Sequence, residues 1–101
     1  MKLPLRLHFI TEYYWSYFRG EPNKTCFDSY STDIDNLAEC TLAAKQLKLP
    51  FRGFTNDQDY PQDCFVNING NPVVWYNIAR SRETNINAKP ICKVGTKILK
   101  D

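Results

Sequence analysis

The chain has 101 residues, of which 43% are hydrophobic and 14% aromatic. This size and composition predict one globular domain with a modest core and exclude disorder of the whole chain. The formal net charge is only +2, and the charges are separated along the chain: residues 21–63 carry four basic and eight acidic side chains, whereas residues 64–101 carry six basic and two acidic ones. This distribution favours a protein partner and argues against nucleic acid, which requires basic residues clustered without acids.

The N-terminal segment is unusually aromatic, with six aromatic residues between Phe9 and Phe18. One face of a short helix or strand cannot bury all six, so some must cover the core or contact another molecule. We interpret residues 1–20 as an aromatic N-terminal arm. The residues expected to bind a partner are Tyr13, Tyr14, Trp15, Tyr17 and Phe18.

Gly20 and Pro22 end this pattern and are followed by the sequence Asn23-Lys24-Thr25. This tripeptide matches the acceptor pattern for N-glycosylation. Asn23 is therefore a candidate glycan attachment site.

A helix is predicted over residues 36–48. Leu37, Cys40, Ala44 and Leu47 recur at spacings of three and four and form one apolar stripe. Asn36 with Glu39 resembles a capping box at the start, and Pro50 prevents continuation at the end. Cys40 lies on the buried stripe, so its sulfur is expected to point at the element on which the helix packs.

Residues 51–63 contain an acidic loop with carboxylates at Asp57, Asp59 and Asp63. Carboxylates this close together suggest calcium, but the glycine and the distal glutamate of an EF-hand loop are missing. The segment is interpreted as a solvated loop, and neither a metal site nor any other cofactor is predicted.

A β-hairpin is predicted from strands at 64–68 and 73–78, both rich in β-branched and aromatic residues. The intervening Asn69-Gly70-Asn71 suits a tight turn, and Pro72 must lie at the edge of the turn. Strand alternation gives both faces apolar side chains, as in a central pair of strands. Trp75 is predicted to be in the core, whereas the placement of Tyr76 stays open.

The C-terminal third reads as a polar loop at 79–90, a short strand that carries Cys92, and a basic tail at 94–101. The predicted organisation is thus an arm (1–20), an α+β domain (21–93) and this tail. The fold class is α+β, with one helix packed on a small antiparallel sheet that contains the 64–68/73–78 hairpin.

The four cysteines, Cys26, Cys40, Cys64 and Cys92, are separated by 14, 24 and 28 residues. No close Cys pair is present, and the single histidine, His8, is distant in sequence, so zinc is not expected. An even number of dispersed cysteines favours two disulfides and an oxidising compartment. The residues alone leave all three pairings open.

Three sequence stretches carry a family resemblance: "CTLAAKQLKLP", "YPQDCFVNINGNPVVWYN" and "NAKPICK". Over residues 26–93 the chain resembles a small four-cysteine domain that recurs in dinoflagellate, haptophyte and other algal or protist proteins, and it has a distant likeness to PAN/apple topology. Asp63 departs from this pattern, in which glycine usually precedes the cysteine. The PAN-like resemblance implies the pairs Cys40–Cys64 and Cys26–Cys92, but no chemistry.

The predicted function is that of a non-enzymatic structural or interaction module. It would be a small accessory subunit docked through its arm on a larger extracytoplasmic assembly, at a cell surface, in a virion or in an organelle lumen. No secretory signal or 18-residue apolar span is visible, so a targeting peptide is expected to be absent from this chain. The alternative is a carbohydrate- or ligand-binding module that uses Tyr60, Asn69, Asn71 and Tyr76.

Overall fold

The computed structural model describes the backbone of residues 9–100 and the side chains of residues 14–95. One helix, α1, and six strands make up this part of the chain, together with a 3-10 turn at Phe27–Ser29. Their bounds are β1 Phe9–Arg19, β2 Thr32–Asp33, α1 Leu37–Gln46, β3 Phe51–Thr55, β4 Asp63–Asn67, β5 Val73–Asn77 and β6 Ala88–Lys100.

The strands form one mixed sheet in the order β1-β6-β4-β5-β3, with β2 paired to β6. The prediction of a purely antiparallel sheet is therefore wrong, because β3 runs parallel to β5. Residues 47–50 connect the end of α1 to the start of β3, and the Val74 N–H donates a hydrogen bond to the Pro50 carbonyl at 2.8 Å. The helix connection thus sets the direction of β3.

Local signals fix both ends of α1. The Asn36 side chain accepts a hydrogen bond from the Glu39 N–H at 2.7 Å, which satisfies one unpaired amide of the first turn. At the other end, the Lys48 and Leu49 amides donate to the carbonyls of Lys45 and Ala44, as in a Schellman motif. Lys48 adopts the positive φ (59°) that glycine usually supplies there. The helix therefore lies within the predicted range and is shorter by a few residues.

The core lies between α1 and one face of the sheet. Cys40, Ala43 and Ala44 of the helix are buried against Cys64, Val66 and Val74 of the sheet, with Ile34 and Ile91 completing the cluster. The buried helix residues are small, and the Cα atoms of Cys40 and Cys64 lie 5.4 Å apart across this interface. The Cys40–Cys64 disulfide lies in this interface and confirms that Cys40 fastens the helix to the sheet.

The second disulfide joins Cys26, just before the 3-10 turn, to Cys92 of β6. Both pairings implied by the resemblance are therefore present, and all four cysteines are buried. Burial of the sulfurs shields both bonds from reductants in solution.

The hairpin prediction is confirmed in part. Strands β4 and β5 pair antiparallel, but β4 is shifted to Asp63–Asn67, one residue before the predicted range, and β5 ends at Asn77, one residue before the predicted end. Asp63 has a φ of 69°, so it adopts the conformation that a glycine would favour at this position.

The prediction that Trp75 belongs to the core is wrong. Trp75 is half-buried and lies opposite Phe65 on the sheet face that does not carry α1, because Val74 and Cys64 occupy the helix side. Tyr76, whose placement was open, packs at the margin of the core beneath the helix.

The predicted N-terminal arm and basic tail are paired with each other. Residues of β1 pair antiparallel with β6 from Phe9–Lys100 to Arg19–Ile91, with one irregularity between Ile10 and Glu12. At a strand's rise per residue, the 13 residues of β6 span about 44 Å. That exceeds the 24 Å second dimension of the molecule, so the strand continues past the core.

Candidate functional site

Beyond the core, the sheet narrows to two strands. Strand β4 pairs with β6 only at residues 88–90, and β2 pairs with it only at Lys93 and Cys92. Residues 9–16 and 94–100 therefore form a two-stranded extension, called the ribbon, whose two outer edges have no strand partner within the described residues. Two strands alone are marginally stable in water, and open strand edges invite pairing with another chain.

Two of the predicted partner-binding residues are exposed on the ribbon. The side chains of Tyr14 and Trp15 are 53% and 45% exposed. The Trp15 ring lies against Gly95, its cross-strand partner, since an added Cβ there would come within 3.0 Å of the ring. Lys93 Nζ lies 4.5 Å from the ring centroid, which is suitable for a cation–π interaction. The side chain of Tyr13 lies outside the described residues.

Tyr17 and Phe18, also predicted to bind a partner, lie nearer the core and are half-buried. The Tyr17 hydroxyl donates a hydrogen bond to Glu39 Oε2 at 2.9 Å, and Lys93 Nζ donates to Glu39 Oε1 at 2.8 Å. Burial, reinforced by this bond to the carboxylate, raises the pKa of Tyr17 to about 12. The base of the ribbon is thus fastened to α1, and Tyr17 is part of that attachment.

The four residues predicted to bind a ligand do not converge. Asn69 and Asn71 are exposed at the hairpin tip, next to Gly70 with its positive φ of 97°. Tyr60 stacks on Phe65, with ring centroids 5.3 Å apart, on the sheet face opposite α1. Tyr76 lies on the helix side. The sheet therefore separates the two tyrosines.

A small cavity of about 180 Å³, called the aromatic pocket, opens beside Tyr60. Three aromatic side chains and three polar ones line it: Tyr60, Phe65, Trp75, Thr55, Asp57 and Asn67. Strands β3, β4 and β5 form its floor, and the loop at residues 56–62 forms its wall.

A buried asparagine holds this loop in place. Asn77 is 0% exposed, and its Nδ2 donates to the carbonyls of Asp57, Tyr60 and Pro61 at 2.8–3.2 Å. Its Oδ1 accepts hydrogen bonds from the amides of Asp57 and Ala79. A buried amide with its hydrogen bonds satisfied fixes the backbone around it.

Two further side chains complete the attachment of the loop. Ser81 Oγ donates to the Gln58 carbonyl at 3.0 Å, and Asn85 Nδ2 donates to the Asp59 carbonyl at 3.0 Å. With the bonds from Asn77, all five consecutive carbonyls from residue 57 to residue 61 accept a side-chain hydrogen bond. Side chains from outside the loop therefore hold the wall of the aromatic pocket in place.

A larger polar cavity of about 470 Å³ lies elsewhere on the surface, and its charged lining comprises Lys24, Asp33, Arg80, Arg82 and Glu83. Arg80 Nη2 contacts Oδ1 of the buried Asp63 at 3.1 Å. Burial raises the pKa of the Asp63 carboxyl despite Arg80, which acts in the opposite direction. The pKa of Asp33 is also raised, first by burial and then by the neighbouring Asp63 and Asp35. Positive and negative groups are mixed here, so no one charge class of ligand is favoured.

The candidate glycosylation site at Asn23 lies on the surface. Asn23 is exposed, and its Oδ1 accepts a hydrogen bond from Thr84 Oγ1 at 2.7 Å. Thr25, the third residue of the acceptor pattern, hydrogen-bonds to Asp28 through its hydroxyl and its amide. Glycan attachment at Asn23 stays a prediction.

Neither a membrane-spanning helix nor a metal centre is found in the described part of the chain. None of its helices has the length and apolarity needed to cross a membrane. Among the same residues, no group of three or more His, Cys, Asp or Glu side chains is placed to hold a metal ion.

Most of the aromatic pocket was not predicted from the sequence. Of its lining residues only Tyr60 was singled out as a ligand-binding residue, and Asn77 was not recognised as its organising residue. Strand alternation does place Phe65 and Trp75 on one face. Because Trp75 was assigned to the core, however, no cavity was predicted beside it. In comparisons with known proteins, no family model, no curated protein and no solved structure matches this chain.

Proposed function

We propose that this protein is a non-enzymatic interaction module that docks on a partner protein through the ribbon. The observation that carries the proposal is the narrowing of the sheet to two strands while Tyr14 and Trp15 stay about half exposed. A two-stranded segment with exposed aromatic side chains gains stability when a further strand or a flat surface covers it.

The charge of β6 points to the kind of partner. Residues 88–100 contain four lysines and no acidic residue, and of these lysines Lys93 is already paired with Glu39. An extended acidic segment that adds along the ribbon would pair with the open strand edges and complement the charge of Lys97 and Lys100, the two lysines of β6 that fall within the ribbon. The partner we propose is therefore a protein that presents such a strand.

The two disulfides fit a domain that works in an oxidising, extracytoplasmic setting as a small subunit of a larger assembly. Cys26–Cys92 ties the start of the 3-10 turn to β6, close to where the ribbon begins, and so holds the ribbon to the core. Rigid attachment reduces the entropy lost on docking.

The test is an affinity capture with the full chain, followed by mass spectrometry. Three baits are compared in an extract of the native source: the parent, a Tyr14→Ser/Trp15→Ser variant and a matched Phe27→Ser/Tyr30→Ser variant. Phe27 and Tyr30 are 83% and 94% exposed and belong to the 3-10 turn and the residue after it, so they are not part of the ribbon strands. We expect a protein that the parent and the control variant capture and that the ribbon variant loses.

Hydrogen exchange on the purified complex provides the second measurement. Amides of β1 should become protected when the partner is present, whereas those of β3, at the far edge of the sheet, should not change. Equal loss of the partner in both variants, or an unchanged β1, would contradict docking through the ribbon.

A further inference from the structure

We infer that the aromatic pocket is a binding site for a single neutral sugar ring, such as the terminal residue of a glycan. This site lies on the face of the core opposite α1, away from the ribbon, so the inference does not depend on the docking function. It replaces the residue set predicted from the sequence, because Asn69, Asn71 and Tyr76 do not line the pocket.

The apolar part of the pocket suits the C–H face of a sugar. Tyr60 lies nearly parallel to Phe65, with 18° between the ring planes, so Phe65 supports Tyr60 from behind and is only 2% exposed. Trp75, directly across from Phe65 in the β4–β5 pair, is half-buried. The two partly exposed rings, Tyr60 and Trp75, are the surfaces on which a pyranose would stack.

The polar part of the pocket contains both hydrogen-bond donors and hydrogen-bond acceptors. Within the described residues, neither the Trp75 indole N–H nor the Thr55 hydroxyl has a hydrogen-bond partner. Asp57 accepts the Asp59 amide through Oδ1 alone, and Asn67 Nδ2 reaches the Tyr60 hydroxyl only at 3.5 Å. One carboxylate, one amide, one hydroxyl and one indole N–H beside aromatic rings provide the donors and acceptors that sugar hydroxyls require.

Size and charge exclude other ligand classes. A volume of about 180 Å³ corresponds to roughly six water molecules and is below that of a drug-sized site. No basic side chain lines the pocket, so a phosphate or sulfate group would lack a counter-charge. A quaternary ammonium would prefer the faces of several rings, but Tyr60 covers Phe65, and the Trp75 indole N–H would be left without an acceptor.

The attachment of the loop at residues 56–62 strengthens the inference. Ordering a seven-residue loop costs conformational entropy. Here the hydrogen bonds from Asn77, Ser81 and Asn85 compensate that entropy within the fold, so ligand binding does not have to order the loop. A preformed wall is typical of small-molecule sites.

The test is a titration of the full-length, isotopically labelled chain followed by NMR. The chain has two tryptophans and hence two indole N–H resonances, one from Trp75 in the pocket and one from Trp15 on the ribbon as an internal control. The probes are the methyl glycosides of glucose, galactose, mannose and N-acetylglucosamine, with choline as the cationic comparison. We expect at least one glycoside to shift the Trp75 resonance saturably and to leave that of Trp15 unchanged.

Two conservative variants test the assigned groups. Asp57→Asn keeps the acceptor for the Asp59 amide, and Thr55→Val keeps the volume of the side chain. The loss of a hydrogen bond to a charged group predicts a drop in affinity of about tenfold or more for Asp57→Asn, and a smaller drop for Thr55→Val. Asn71→Ala, at the exposed hairpin tip, is the matched control and should bind as the parent does.

The inference is overturned if no glycoside shifts the Trp75 resonance at tens of millimolar, or if choline does so and the glycosides do not. It is also overturned if Asp57→Asn and Asn71→Ala bind equally well. None of these results bears on docking through the ribbon, which the Tyr14→Ser/Trp15→Ser variant tests separately.

Discussion

Glu39 of α1 and Lys93 of β6 form an ion pair of 2.8 Å that joins the helix to the base of the ribbon, and both side chains are only 15% exposed. The same carboxylate accepts the Tyr17 hydroxyl, and Tyr17 lies directly opposite Lys93 in the β1–β6 register. One glutamate therefore holds both strands of the ribbon where they leave the core.

Removing this carboxylate should loosen the ribbon. We expect Glu39→Ala to lower the free energy of unfolding by about 2–3 kcal/mol, since it leaves a largely buried ammonium and a hydroxyl without their acceptor. Chemical denaturation gives the stability, and hydrogen exchange should show faster opening of β1. Glu21→Ala, an exposed glutamate, is the control, and equal effects of the two substitutions would contradict the attachment.

The raised pKa of Tyr17 predicts a loss of stability at alkaline pH. The pKa is about 12 in the folded protein against an ordinary value of 10.0, so the contribution of the protonated tyrosine is complete below pH 10.0 and is lost as the pH rises through about 12. Tyr17→Phe should remove this part of the pH dependence. Absorbance titration at the phenolate band should show the parent's late-titrating tyrosine disappear in the variant; an unchanged titration curve would refute the assignment.

Asp63 and Arg80 predict a pH dependence on the acid side. Since burial raises the pKa of Asp63, its protonated form contributes stability that is complete below the ordinary value of 3.8 and is lost as the pH rises through the raised pKa. Arg80 lowers the pKa of Asp63 and so opposes the effect of burial. In Arg80→Met this pKa should rise further, so that stability continues to fall up to a higher pH than in the parent. We expect equal stabilities at about pH 3 and a deficit of about 1 kcal/mol at pH 7, a modest value because the Arg80 side chain is 58% exposed.

The control for this pair is Arg82→Met, since Arg82 is exposed and forms no ion pair within the described residues. Thermal melts of the three proteins across the pH range provide the comparison. A deficit that is the same at both pH values would show that Arg80 acts through packing and not through its charge.

Asn77 should be the most sensitive polar residue of the fold. We expect Asn77→Ala to cost about 3 kcal/mol or more, because several buried backbone groups lose their partner at once. Amides of residues 56–62 should exchange faster, and any ligand of the aromatic pocket should bind more weakly. Asn71→Ala should leave both measurements unchanged, and a mild effect of Asn77→Ala would mean that the loop is held by other contacts.

The disulfide between α1 and the sheet should be indispensable. The chain-entropy contribution of a bridge across 24 residues is about 3.5 kcal/mol, a large fraction of the net stability of a small domain. Cys40→Ser also places a hydroxyl in the core beside Cys64, so we expect the variant to be unfolded at physiological temperature. Circular dichroism provides the measurement, and melting within a few degrees of the parent would refute this expectation.

Features that depend on neighbouring residues could be predicted from the sequence. The Asn36 cap and Pro50 located α1, and the Asn-Gly turn between two β-rich stretches located the hairpin. The predicted apolar stripe was wrong at Leu37, which is 44% exposed, whereas Ala43 is buried. Capping, helical periodicity and turn conformation can be recognised in a sequence because each involves residues only a few positions apart. The number and spacing of the cysteines indicated disulfides, but the residues alone left all three pairings open.

Features that join distant parts of the chain depend on tertiary packing. No local sequence pattern indicates that Phe9 pairs with Lys100 or that β3 runs parallel to β5. The same holds for the pocket that brings together Asp57, Trp75 and Asn67. Trp75 is an example. The alternation of residues along β5 specifies the face of the sheet on which Trp75 lies, but the burial of that face depends on whether α1 or a loop covers it. Here the helix, fixed by Cys40–Cys64, covers the other face, so Trp75 is left beside a cavity and not in the core.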